Sequence, residues 1–270
     1  MGGLGYAPGT LALWFALVSG LATMAAYARA LALQKEGGEP YDAALSLGRR
    51  LYYAHAASIL IASAILMYLL LTHDFRVSYV TSYSGRELPL RYLFSTFWAG
   101  QEGSFLTWLF FGAIIGPFVL RSAREQEPPV MAVYVLSFLG IVAILVKQSP
   151  FRFLAEVPPD GQGLNPLLQD PWMVIHPPVM FAGFASLSVP FAFAIAALWT
   201  KRWDGWVIRA MPWALFTFVC LGTAILMGGY WAYKTLGWGG YWAWDPVENT
   251  SLVPWLATTA LVHGMYLQKA

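Results

Sequence analysis

Residues 176–199 read HPPVMFAGFASLSVPFAFAIAALW, without one Asp, Glu, Lys or Arg. A run this long and this apolar is a membrane span, which takes about 20 residues. Six more stretches follow the same reading, near 10–33, 51–72, 104–120, 128–146, 210–231 and 251–268. The composition agrees. Of 270 residues, 58% are apolar and 11% charged, against about a quarter charged in soluble proteins. A large soluble core would need a charged surface that this chain lacks. The reading is an all-α integral membrane protein, one membrane domain over 1–270, with about seven helices and long outer loops.

The remaining bulk features exclude function classes. The single cysteine, Cys220, rules out an internal disulfide and any metal site built on several thiolates. A net charge of +2 points to no nucleic-acid partner. The opening MGGLGYAPGT has no positive n-region, so the first apolar run reads as a retained helix rather than a signal peptide. No Ser–His–Asp set and no paired carboxylates point to hydrolysis.

Lys and Arg set the orientation. With the N-terminus outside, inner segments hold ten and outer segments six. The outer loops, 73–95 and 147–175, are then the long ones. The first alternates weakly and reads as a short hairpin. The second is rich in Pro and Gly and reads as irregular. The segment RYLFSTFWAGQEG, 91–103, reads as an interfacial helix turning into span three.

Four histidines are the candidate ligands, since histidine within membrane helices faces a partner or a cavity. His263 lies inside span seven, either bonded to a neighbouring helix or as an axial haem ligand. His176 enters span five from the outer loop, with Pro177 and Pro178 tolerated at a helix start. It is either an interfacial capping group or a ligand. His55 and His73, near the inner and outer ends of span two, read as structural. Depth separates the two candidates. His263 lies 15 residues beyond Glu248, or about 22 Å at 1.5 Å per residue. Axial ligands sit about 2 Å from one metal, so His176 and His263 cannot share an iron. Each would need a partner: by depth His73 for His176 and His55 for His263, or groups beyond this chain.

Between spans six and seven stands WGGYWAWDPVENTSLVPW, Trp238 to Trp255. An aromatic belt explains scattered tryptophans, but not this order. Gly239 and Gly240 permit close backbone approach. Trp238, Tyr241, Trp242 and Trp244 offer planar faces. Asp245, Pro246 and Glu248 suit the first turn of span seven. The combination reads as a shelf for a large planar cofactor.

That stretch resembles the WWD signature of the haem-handling proteins of cytochrome c biogenesis, Trp-Gly-Gly-Trp-Trp-x-Trp-Asp-Pro-Val-Glu-Asn, with Tyr241 in place of one Trp and Asn249 closing it. GLNPLLQDPWMVIHPPVMFAG (163–183) and FWAGQEGSFLTW (97–108) are similar to the haem lyase branch, CcmF, rather than the haem-delivery branch, CcmC. The resemblance covers essentially the whole chain. It implies that His176 helps hold haem passed on by the haem chaperone CcmE, at a shelf of Trp238 to Asn249. It also implies that His263 ligates a buried haem b. That haem would reduce the incoming iron before covalent attachment to Cys-x-x-Cys-His motifs of apocytochrome c. Implied partners are a CcmH-type thiol-handling subunit and quinol. The implied location is the bacterial inner membrane, with the WWD loop outside. The family's second outer and second buried histidines have no counterpart before Ala270. The chain therefore reads as the N-terminal portion of a longer haem lyase, inactive without the rest. The alternative is a haem-delivery module without ligation chemistry.

Overall fold

The computed structural model describes residues 5–235 and 240–269; Trp238 and Gly239 of the predicted shelf lie outside the described residues. Among the described residues there are nine α-helices. They are α1 (Ala7–Leu33), α2 (Gly38–Leu71), α3 (Ser78–Tyr83), α4 (Leu90–Ser95), α5 (Gln101–Ala123), α6 (Glu127–Lys147), α7 (Pro171–Thr200), α8 (Trp206–Thr235) and α9 (Pro246–Lys269). The seven long ones stand at the seven expected places. Five stretches are long and apolar enough to cross a membrane: Ala7–Leu33, Gly38–Leu71, Gln101–Lys147, Pro171–Thr200 and Trp206–Thr235. The third holds two helices. The chain folds back at Arg124 (φ 50°), so the Tyr134 hydroxyl donates to the Gly112 carbonyl (2.7 Å). α9 does not reach that apolarity, so a seventh crossing remains an expectation. The chain is a multi-pass membrane protein. Leu11, Phe15, Ile61, Phe118, Phe191 and Val219 face outward on its long helices, which is costly in water and suited to lipid.

Two expectations change. α2 begins at Gly38, thirteen residues before the apolar run, because a helix can extend past the lipid on polar residues. His55 therefore sits mid-helix, not at an inner end. Its Nδ1 lies 2.7 Å from the Ala16 carbonyl of α1, and its ring is buried. The hairpin predicted in 73–95 is absent from the described residues; α3 and α4 form there instead. The extended backbone of this loop pairs with the second loop, not with itself. Ser78 N–H donates to the Arg152 carbonyl (2.8 Å), Leu154 to Arg76 (2.9 Å), and Gln162 to Thr81 (2.8 Å). A Cβ at Gly161 would lie 1.9 Å from the Ser84 carbonyl oxygen, so only glycine allows this approach. The expected interfacial helix is α4, followed by a 3-10 turn at Thr96–Trp98 that leads into α5. The second loop is irregular as expected, apart from a 3-10 turn at Pro166–Leu168.

The two ends of the bundle differ. One end carries the two interlocked loops. At the other, Glu127 is buried (3% exposed) and accepts from Arg49 Nε (2.8 Å), Arg49 Nη2 (2.6 Å) and the Tyr27 hydroxyl (3.1 Å). A buried carboxylate persists when paired and hydrogen-bonded in this way.

Candidate functional site

α7 and α8 are tied together at the looped end. Asp170 caps α7, its Oδ1 accepting from Trp172 N–H (2.9 Å). Its Oδ2 accepts from Lys234 Nζ of α8 (2.6 Å). The Trp231 indole N–H donates to the Leu167 carbonyl (3.1 Å), and Trp172 packs edge-on against Tyr230. These ties hold His176 in the second turn of α7. The helix starts at Pro171, earlier than expected, so Pro177 and Pro178 are interior. Lacking N–H groups, they leave the Met173 and Val174 carbonyls without their usual helical donors.

His176 Nδ1 lies 2.8 Å from the Ala224 carbonyl of α8. The carbonyl can only accept, so Nδ1 carries the proton and Nε2 keeps its lone pair. Metal-binding histidines are commonly oriented by this kind of bond. The approach depends on Gly228, one turn along α8: a Cβ there would lie 2.7 Å from His176 Cε1. At the adjacent Gly229 a Cβ would lie 3.0 Å from the Tyr241 carbonyl oxygen. The glycine pair therefore seats both the histidine and the start of the Trp-rich loop. Neither glycine figured among the sequence candidates. A Gly-Gly pair inside an apolar span, in the segment just before the aromatic motif, is the signal that marks them.

These elements enclose a cavity of about 340 Å³, within the range of small-molecule sites, about 300–1,000 Å³. His176, Trp242, Asp245 and Glu248 line it, with Gly228 and Gly229 of α8. Trp98, Ala99 and Ser104, from the FWAGQEGSFLTW segment, complete the wall. The indole N–H groups of Trp98 and Trp242 are buried and have no acceptor among the described residues. Buried donors without partners cost about 1–3 kcal/mol each, and a ligand carrying acceptors at its edge would relieve that.

The rest of the motif has local duties. Asp245 and Glu248 form a reciprocal cap on α9: Glu248 N–H donates to Asp245 Oδ1 (2.8 Å), and Asp245 N–H to Glu248 Oε2 (3.3 Å). Glu248 Oε2 also accepts from Ala243 N–H (2.8 Å). This is the capping-box arrangement, with Asp at the cap. The Asn249 amide donates to the Trp244 carbonyl (3.2 Å). Gly240 takes φ 64°, which favours glycine. Tyr241 stacks on Tyr233 (4.4 Å, 8°) outside the cavity. Trp244 is 70% exposed and meets Trp242 edge-on. Trp255 docks α9 on α8, its indole donating to the Phe218 carbonyl (3.1 Å). Of the shelf's described aromatics, only Trp242 lines the cavity.

His263 stands apart, 17 residues into α9 from Pro246, or about 25 Å along the axis. It is exposed, on the face opposite buried Met265, and its Nδ1 bonds the Thr259 carbonyl one turn back (2.8 Å). His176 and His263 are not brought together, as depth required. His55 and His73 do not line the cavity either. His73 packs near Phe75 with Nδ1 buried and unpartnered. Among the described residues, no three His, Cys, Asp or Glu side chains form a metal cluster.

The family described as Cytochrome C assembly protein matches residues 98–270. The cytochrome c-type biogenesis protein CcmF of Pseudomonas fluorescens is 41% identical over 231 residues, 82% of this chain and 34% of that protein. CcmF of Escherichia coli (strain K12) is 39% identical over 234 residues, 83% of this chain and 36% of that protein. A solved structure titled Cytochrome c Heme Lyase CcmF superposes with a TM-score of 0.79 at 33% identity, covering 97% of this chain and 42% of that one. The chain thus spans about a third of the length of the curated relatives it matches.

Proposed function

The chain belongs to the cytochrome c assembly protein family, and from that premise we propose that it serves cytochrome c maturation by holding substrate haem in the cavity between α7, α8 and the Trp-rich loop. The observation that carries this reading is the His176–Ala224 bond at the wall of a cavity that Trp242 also lines. It leaves a neutral imidazole with a free Nε2 beside an aromatic face. His176 would supply a ligand to the haem iron through Nε2, and Trp242 would pack against the porphyrin. The Trp98 and Trp242 indole N–H groups donate to carboxylates at its edge. Asp245, Glu248 and Asn249 hold the loop in shape rather than touch the iron.

His263 belongs to a second site, for a resident haem b. Its Nε2 is likewise free, on an exposed face of α9, and this chain supplies that one ligand. When bound, a haem b would supply one-electron redox chemistry, and the Thr259 carbonyl orients the His263 imidazole that would hold it. The haem lyase activity is assigned to the full length of the relatives, of which this chain spans about a third, and this chain is assigned one ligand of each haem. The loop faces the outer side of the bacterial inner membrane, where the haem chaperone CcmE, a CcmH-type subunit and apocytochrome c would reach it, with quinol as the electron source.

Haemin titration of the purified chain tests the first site. With the second site removed by His263→Ala, a Soret shift typical of imidazole ligation is still expected, and it is lost when His176→Ala is added. An unchanged titration in the His176→Ala, His263→Ala double variant overturns the assignment.

A further inference from the structure

At the end of the bundle opposite the Trp-rich loop, the α5–α6 turn faces the α7–α8 turn across a cavity of about 410 Å³. Lys201, Arg202 and Arg209 line it with Glu125, Asp204 and Gln126, which leaves one net positive charge. Arg209 is held in place, its Nη1 donating to the Ala123 carbonyl (3.1 Å). Among the described residues, Lys201 and Arg202 form no ion pair with a carboxylate. Gln126 is only 4% exposed, and among the described residues its buried Oε1 has no donor. The cavity thus combines cations free for an anion with an orphaned acceptor that wants a donor.

A second cavity lies midway along the bundle. This apolar groove of about 510 Å³ runs between α5, α6, α7 and α9, lined by Trp108, Phe138, Phe191, Ala194 and Leu261 among others. On α7, Phe191, Ala194 and Leu198 fall at helical spacing on one face, and Lys201 follows the last residue of the helix with φ 55°. Ala194 and Lys201 are two turns apart, about 10 Å. On the α6 side, Gln126 just before the helix and Ser137 in the groove are 11 residues apart, about 16 Å along the axis, within the reach of one lipid from phosphate to acyl chain. Trp199 and Trp203 flank the polar cavity, 57% and 54% exposed, as interfacial tryptophans do.

We propose that the polar cavity and the groove together bind one glycerophospholipid. Its phosphodiester sits between Lys201, Arg202 and Arg209, a headgroup hydroxyl or ammonium donates to Gln126 Oε1, and an acyl chain lies in the groove. Basic pockets between membrane helices recognise lipid phosphates in this way. The net charge of the cavity matches a phosphodiester's single negative charge. The two carboxylates favour a headgroup that carries a donor, which a choline headgroup lacks. A free phosphate shares the anion chemistry but leaves the groove empty.

Native mass spectrometry of the detergent-purified chain tests this with dioleoyl phosphatidylethanolamine, phosphatidylglycerol and phosphatidylcholine, and with inorganic phosphate as competitor. One retained phosphatidylethanolamine or phosphatidylglycerol per chain is expected, with phosphatidylcholine clearly weaker. Lys201→Ala with Arg202→Ala should weaken retention about 30-fold, from roughly 1 kcal/mol per basic residue and tenfold per 1.4 kcal/mol. Arg202→Ala alone, about fivefold on the same basis, serves if the pair does not fold. Ala194→Trp, which narrows the groove, should weaken the lipid as well. Retention unchanged in the basic variants, equal retention of phosphatidylcholine, or displacement by millimolar inorganic phosphate would each overturn the proposal.

Discussion

Replacing Gly228 by alanine is the sharpest probe of the candidate site. The added Cβ would lie 2.7 Å from His176 Cε1 and 3.1 Å from both ring nitrogens. The ring must retreat by several tenths of an ångström, and its 2.8 Å bond to the Ala224 carbonyl lengthens or breaks. Losing that bond costs about 1 kcal/mol, and overpacking adds about 1–3 kcal/mol. Alanine in a helix interior returns about 1 kcal/mol relative to glycine. The net destabilisation is therefore about 1–3 kcal/mol, small enough for the protein to fold. Haem binding should suffer more than stability does. Displacing the group that orients a metal ligand costs about 10–100-fold in affinity. Haemin titration followed at the Soret band, beside thermal unfolding of the same sample, separates the two effects. Gly140→Ala is the internal control, because a Cβ there meets nothing within 4 Å and haem affinity should not move. Haem affinity and Soret position unchanged in Gly228→Ala would refute the claim that this glycine seats a ligand.

Trp98→Phe and Trp242→Phe each remove a buried donor without a partner; each should leave the haem-free protein as stable or about 1 kcal/mol more stable, while haem binding weakens in both. Arg49→Ala strips the Glu127 carboxylate of its bidentate partner. Because Arg49 is half exposed, a loss below the 3–5 kcal/mol of a fully buried pair is expected, read as a fall in Tm. In the two interlocked loops, hydrogen bonds from Arg76 hold the Asp74 carboxyl below the usual carboxylate range, and the Gly161 and Arg86 backbone N–H groups do the same for Asp160. A depressed carboxylate stabilises the fold above its unfolded pKa and loses that contribution as pH falls through the folded value. Amide protection factors in 73–100 and 148–165, taken relative to the intrinsic exchange rate at each pH, should thus hold steady from neutral pH down to about 5 and fall below about 4; unchanged protection factors at pH 3 would count against the loop interlock.

Much of the architecture was legible in one dimension. Charge-free runs such as 176–199 locate helices because lipid leaves backbone polar groups no partner but their own helix. The beginning of α9 at Pro246 follows from the Asp–Pro–Val–Glu order, since capping is a local matter of three or four residues. Less visible was the length of α2, because its polar first third continues a helix that hydropathy cannot see. The hairpin expected in 73–95 failed for a related reason. Its partner strand is the loop seventy residues downstream, and weak alternation does not say which backbone completes the pairing.

The candidate site divides in the same way. The sequence by itself determined that the chain is a membrane protein, that aromatics crowd one loop, and that His176 and His263 lie too far apart in depth to share an iron. These follow from composition, spacing and helix rise, all local quantities. Only the tertiary structure decided which members of the motif face a cavity. It turned Trp242 inward and Tyr241 and Trp244 outward, and gave Asp245 and Glu248 to the helix cap. It also recruited Gly228 and Trp98, which lie outside the motif. Those assignments depend on how α5, α7 and α8 pack side by side, and contacts between segments distant in sequence leave no periodic trace within either one.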